Sequence, residues 1–134
     1  MSTKINVIYG IALTDGDIER YLKENNRLTY PEEEENEYSS ELADLILNFN
    51  CIIEFELPTS ISCIEIDFDH DNDENKEYRF TLGTVVVESS FHSNTCFIVP
   101  QVPSGIVEET ERIFSASPFL SSFNAGLYVV SLPD

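Results

Sequence analysis

The chain has 134 residues, 42% of them hydrophobic and 11% aromatic, with 25 acidic side chains against 7 Lys and Arg, a net charge of −18. Its length fits one domain, and its Phe, Tyr, Ile and Val content separates it from acidic disordered chains, which cannot bury enough apolar surface to fold. A surface this negative repels phosphate backbones and anionic lipids, which counts against direct nucleic-acid and membrane-surface binding and leaves basic proteins, metal cations or solubility alone as what the charge serves.

In chain order, Ile5 to Leu13 reads as a strand, with Ile5, Val7 and Tyr9 alternating against Asn6 and Ile8. Thr14 then has the character of a helix N-cap, with Asp17 three residues on as its capping-box partner. Ile18, Tyr21 and Leu22 form the apolar stripe of a short helix that ends near Asn25 and Asn26, and Glu19/Lys23 and Arg20/Glu24 are favourable i,i+4 pairs on it. Residues 27–38 contain Pro31 and the run Glu32–Glu35, which predicts an exposed loop. Ser39 or Ser40 caps a second helix, whose buried face is Leu42, Leu45, Ile46 and Phe49.

Strands are expected next. In Cys51–Leu57, Ile53, Phe55 and Leu57 share one face and Glu54 and Glu56 the other. Pro58–Ser60 is a turn. In Ile61–Asp69, Ile64, Ile66 and Phe68 face the core and Glu65, Asp67 and Asp69 face out. His70–Lys76 is a polar tip. In Glu77–Glu88, Tyr78, Phe80 and Leu82 face the core, Arg79 and Thr81 face out, and Gly83 breaks the alternation at a bulge. Val85–Val87 is apolar on both faces, Ser89–Asn94 is a loop and Cys96–Val99 a short strand. Pro100 and Pro103 bracket the entrance to a third helix, capped by Ser104 and buried along Ile106, Thr110, Ile113 and Phe114. Ser115–Asn124 packs down through Phe119, Leu120 and Phe123, and Gly126–Leu132 is the last strand. The order β-α-α-β-β-β-β-α-β predicts one α+β domain over residues 1–134: a mainly antiparallel sheet with about three helices, and exposed acidic loops near 30–38 and 69–77.

The charge is regional. Residues 1–29 hold four acids and four bases, residues 30–78 sixteen acids and one base (Lys76), and residues 79–134 five acids and two bases. If Cys51–Leu57 and Ile61–Asp69 pair as a hairpin, Glu54 and Glu56 stand beside Glu65, Asp67 and Asp69 on one face. Neighbours at i and i+2 then lie about 6.5–7 Å apart, a spacing similar to that of successive phosphates. With Asp71 and Asp73 at the tip, these seven carboxylates are the candidate partner-binding residues. Such a face is equally what a solvated sheet surface or a guarded edge looks like.

Asp67, Asp69, Asp71 and Asp73 alternate as in a calcium loop, yet the EF-hand pattern fails in both registers. From Asp69 the glycine and bidentate-Glu positions hold Glu74 and Phe80, and from Asp67 they hold Asn72 and Tyr78. His70 and His92 match no ligand or nucleophile spacing with Cys63 or Cys96, and no phosphate loop or nucleophile elbow occurs. No catalytic, cofactor or metal site is therefore assigned. Cys51, Cys63 and Cys96 form no CxxC pair and lie in or beside apolar runs, as reduced core thiols do. No stretch reaches the roughly 20 apolar residues of a membrane span, the first residues lack the basic-then-apolar profile of a secretion signal, and a cytoplasmic location is expected. The reading is a non-enzymatic acidic interaction protein that docks on a basic, nucleic-acid-binding protein, as a nucleic-acid mimic or inhibitor of phage or viral type. The competing reading is a small assembly protein that forms a homodimer through Val85–Val87 or Phe119–Phe123, with the charge serving solubility.

Overall fold

A computed structural model describes residues 2–66, 78–92 and 101–133. Its elements are β1 (Ser2–Thr14), α1 (Asp15–Glu24), α2 (Glu35–Leu47), α3 (Phe49–Glu54), β2 (Ser62–Glu65), β3 (Tyr78–His92), α4 (Ser104–Ser115), a 3-10 turn (Leu120–Ser122) and β4 (Gly126–Pro133). The strands form one antiparallel sheet in the order β2-β3-β1-β4. The fold is α+β. The core lies between one face of the sheet and the helices, where Ile11, Leu13, Phe80 and Leu82 meet Ile18, Leu22, Phe49, Ile53 and Leu120.

The junction of β1 and α1 follows from local chemistry. The Asp17 amide donates to the Thr14 hydroxyl at 3.2 Å, and the Thr14 amide donates to the Asp17 carboxylate at 3.0 Å, so two otherwise unpaired donors of the helix start are satisfied. Ile18, Tyr21 and Leu22 are buried as their spacing predicts, and the helix stops at Asn25, followed by Asn26 at φ 55°. Tyr21 stacks edge-on against Phe49 and Phe119, and its hydroxyl has no hydrogen-bond partner among the described residues. Arg20 does not pair with Glu24; its guanidinium lies over the rings of Phe119 and Phe123, at 5.0 and 5.3 Å.

The expected strand Cys51–Leu57 is a helix. Ile46, Phe49 and Ile53 fall at i, i+3 and i+7, and all three are buried, so α3 continues the apolar stripe of α2 across a break at Asn48. Phe55, which the strand reading places in the core, follows the helix at 92% exposure. Cys51 is correspondingly exposed instead of a core thiol. The second helix also starts earlier than expected: α2 begins at Glu35, within the expected loop, and not at Ser39 or Ser40. Glu35 and Glu37 in its first turn are favoured there by the helix dipole.

In β2, the register Cys63↔Leu82 and Glu65↔Phe80 sets Ile61 and Cys63 toward the helices, and Ile64 away from them, which reverses the expected phase. A one-residue slip is enough to exchange the two faces of a strand. Gly83 is not bulged. It pairs with Gly10, and the extra residues of β3 are Val86, between the pairs Val7↔Val87 and Ile8↔Val85, and Arg79, between Leu13↔Phe80 and Thr14↔Tyr78. The bulge turns Arg79 onto Asp15 at 2.6 Å instead of out to solvent. Thr81, also expected outside, is 1% exposed, because the second face of the sheet is closed as well: Ile8, Ala12 and Val130 on that face are buried. Ser89–His92 continues β3 against β1 and is not a loop.

Ser104 is the first residue of α4 and Pro103 its N-cap; proline holds the extended φ of −59° that the position needs. Thr110, Ile113 and Phe114 are buried, and Phe119 and Leu120 pack into the core. Cys96–Val99 and the tip 69–77 lie outside the described residues. Among the described residues, no helix is long and apolar enough to cross a membrane.

Candidate partner-docking surface

The seven carboxylates expected to share one sheet face are not brought together as a hairpin. Glu54 ends α3 and Glu56 lies in the turn after it, so neither stands on a strand beside Glu65. Glu56 pairs with Arg27 at 3.0 Å, and partial burial pushes its carboxyl upward. Glu65 lies 3.7 Å from Arg79, which it shares with Asp15. Asp67, Asp69, Asp71 and Asp73 lie outside the described residues. Cys63 is the one expected core thiol that the described residues retain. Burial, with the Glu54 and Glu65 carboxylates adding to it, pushes its thiol up to about 12, which keeps it protonated and unreactive near neutral pH.

The described bases are occupied within the fold. Lys4 reaches Glu88 at 2.6 Å, Lys23 bridges Glu19 and Glu32, Arg27 holds Glu56, Arg79 holds Asp15, Arg112 holds Glu109, and Arg20 stacks on two Phe rings. Lys23 and Tyr38 join α1 to α2. The ammonium lies 5.8 Å from the centre of the Tyr38 ring, and the Tyr38 hydroxyl donates to Glu19 at 2.8 Å. Among the described residues, no cation pairs with Glu33, Glu34, Glu35, Glu37 or Asp44, and all five are exposed. Among the described residues, the acids without a cation are thus most numerous on α2 and the segment before it.

That surface has a shape. Glu37, Glu41 and Asp44 recur at i, i+4 and i+7, so they line one side of α2. With Tyr30, Ser40 and Leu45 they border an open groove of about 580 Å³. Glu41 is the tie that forms it. Its carboxylate accepts from the Thr29 amide at 2.7 Å, from the Tyr30 amide at 3.2 Å and from the Thr29 hydroxyl, which straps residues 29 and 30 against the helix. Tyr30 is left 44% exposed at the rim. An aromatic face beside unpaired carboxylates suits a Lys or Arg side chain, through charge-assisted hydrogen bonds and a cation–π contact. The sequence reading missed this groove because it placed residues 27–38 in a loop. The spacing of Glu37, Glu41 and Asp44 was the available signal.

The Thr29 hydroxyl holds the Glu41 carboxyl below the usual carboxylate range, against desolvation, with the two amides adding smaller effects in the same direction as the hydroxyl. A carboxyl lowered on folding contributes stability above its unfolded pKa, and that contribution is lost as pH falls through the folded value. The strap is therefore expected to hold at pH 5 and to loosen only below the usual Glu value of about 4.3. The Thr29 and Tyr30 amide shifts followed by NMR from pH 7 to 2 should share one transition with a midpoint below that value. A midpoint at or above it, or flat shifts, would remove Glu41 as the tie.

Among the described residues, no group of three His, Cys, Asp or Glu stands close enough to hold a metal ion. No family model matches the chain, and neither a curated protein nor a solved structure proves similar to it.

Proposed function

We propose that the chain is a non-enzymatic acidic interaction protein that docks on a basic, nucleic-acid-binding protein and occupies its nucleic-acid site. The observation that carries this reading is the asymmetry of charge use: each described base already has an acidic or aromatic partner inside the fold, whereas Glu33, Glu34, Glu35, Glu37 and Asp44, on α2 and the segment before it, face solvent with no cation beside them among the described residues. Carboxylates one helical turn apart are separated by roughly 6 Å along the axis. They form a regular anionic row, with Tyr30 beside it where a base would stack in a real nucleic acid. Such a row steers a cationic partner and fixes its orientation, and its contribution to association falls as salt rises.

The test is capture from host lysate, with the parent chain and a variant carrying Glu33→Gln, Glu34→Gln, Glu35→Gln, Glu37→Gln and Asp44→Asn as baits. None of these residues has an ion pair in the described fold, so the variant should fold as the parent does. The expected result is a nucleic-acid-binding protein retained by the parent at about 50 mM salt, and released both by salt and by added duplex DNA or RNA. The variant should retain it at least tenfold less. Equal capture by both baits, or a captured protein indifferent to nucleic acid, overturns the reading.

A further inference from the structure

The two edges of the sheet are built in opposite ways. The β2 edge is four residues long, Ser62–Glu65, and ends on a carboxylate. Short length and charge are the usual protections against another chain adding to an edge. The β4 edge has neither. It runs for eight residues, Gly126–Pro133, and among the described residues it pairs on one side only, with β1. Leu127 and Val129 stand two apart on the same face, 40% and 50% exposed. From Ile113 to Pro133 the sequence contains no Asp, Glu, Lys, Arg or His, in a chain whose net charge is −18.

We propose that the outer edge of β4 is a homodimer interface, at which two copies pair β4 against β4, antiparallel, to join the two described four-stranded sheets into one. A twofold axis perpendicular to the sheet gives this pairing and keeps the helices of both copies on one face, where Leu127 and Val129 of each copy meet those of the other. Charge selects this edge. The acid-rich residues 30–78 include β2, and α3 packs beside it, at the opposite edge from β4. With strands about 4.8 Å apart, seven intervals separate the two β2 edges of the dimer, roughly 34 Å. That is several times the screening length of about 8 Å at physiological ionic strength, so the acidic ends of the two copies do not oppose the contact. Pairing through β2 would instead bring the acid-rich segments 30–78 of both copies close together. With Val129 opposite Val129 of the other copy, a seven-residue strand pair over 126–132 buries less than a standard interface, so the dimer is expected in the micromolar range. The interface is independent of the docking groove on α2 and leaves it open.

Sedimentation equilibrium of the full chain tests this. The parent should move from 15.2 kDa toward twice that mass as concentration rises from about 1 μM to 1 mM, and the dimer should strengthen as salt rises, opposite to an acidic contact. Val129→Lys and, separately, Leu127→Lys put a charge on exposed positions of the edge and should weaken the dimer at least tenfold, with far-UV circular dichroism and melting unchanged. Ile64→Lys, on β2, should not. In amide exchange, only residues 126–132 should gain protection with concentration. A parent that stays at 15.2 kDa at 1 mM and high salt, or a dimer weakened by Ile64→Lys and not by Val129→Lys, overturns the proposal.

Discussion

Gly83→Ala and Gly10→Ala are each expected to destabilise the fold by about 3 kcal/mol or more, among the largest effects of any single methyl group in this chain. The two glycines face each other across β1 and β3. A Cβ on Gly10 would stand 1.9 Å from the Leu82 carbonyl oxygen and 2.6 Å from the Gly83 Cα; one on Gly83 would stand 2.3 Å from the Tyr9 carbonyl oxygen and 2.7 Å from Ile8 Cγ2. The closest obstacles are backbone atoms of the two central strands, so no rotamer change relieves them and the ladder itself must open. Neither glycine has a positive φ, so the need is for close approach and not for a left-handed turn. The loss of unfolded-chain entropy favours alanine by only about 0.4–1 kcal/mol and does not offset the clash. Gly105, second in α4, has nothing within 4 Å of a built Cβ, so Gly105→Ala is expected to be neutral or stabilising by up to about 1 kcal/mol. Thermal melts of the three variants are the measurement. A drop of about 10 °C or more is expected for Gly10 and Gly83, and melting within about 2 °C of the parent at either would disprove the close approach.

Phe49→Ala should cost about 3–5 kcal/mol, whereas Phe55→Ala, six residues on, should stay within about 0.5 kcal/mol of the parent. Phe49 has no exposed surface. It meets Tyr21 edge-on at 5.6 Å between ring centres and Phe80 at 5.2 Å, so it joins α1, α3 and β3. Its removal leaves a cavity among rigid aromatic neighbours that cannot collapse to fill it. Phe55 is 92% exposed and loses little on truncation. The pair also separates the two arrangements of residues 51–57, since a strand there would bury Phe55. Urea unfolding of both variants, with equal m-values, gives the comparison. A Phe55→Ala cost as large as that of Phe49→Ala would restore the strand and remove α3.

That segment shows why part of the fold was readable and part was not. The elements legible in advance depend on residues close in the chain. Thr14 and Asp17 specify the start of α1 by hydrogen-bonding to each other, and β4 is a short run of alternating β-formers between Gly126 and Pro133. Thr110, Ile113 and Phe114 lie at helical spacing whatever surrounds them. Residues 46–57 carry two periods at once. Ile53, Phe55 and Leu57 alternate as in a strand, while Ile46, Phe49 and Ile53 follow a helix. Local preference does not separate them. The helix prevails because Phe49 fits between Tyr21 and Phe80, residues 28 and 31 positions away.

The candidate site divides along the same line. The location of the charge, with sixteen acids and one base in residues 30–78, is a property of composition and needs no coordinates. Which of those acids stay unneutralised is a matter of distance. Glu56 and Glu65 are drawn to Arg27 and Arg79, while Glu37 and Asp44 remain open beside Tyr30. The α+β class, the apolar stripes and the uncharged stretch 113–133 follow from amino-acid order, because short-range geometry and solubility set them. The face that Thr81 and Cys63 occupy, the bulges at Val86 and Arg79, and the separation of the acidic region from the bare β4 edge come from packing. They depend on register between strands distant in the chain, where a shift of one residue exchanges inside and outside.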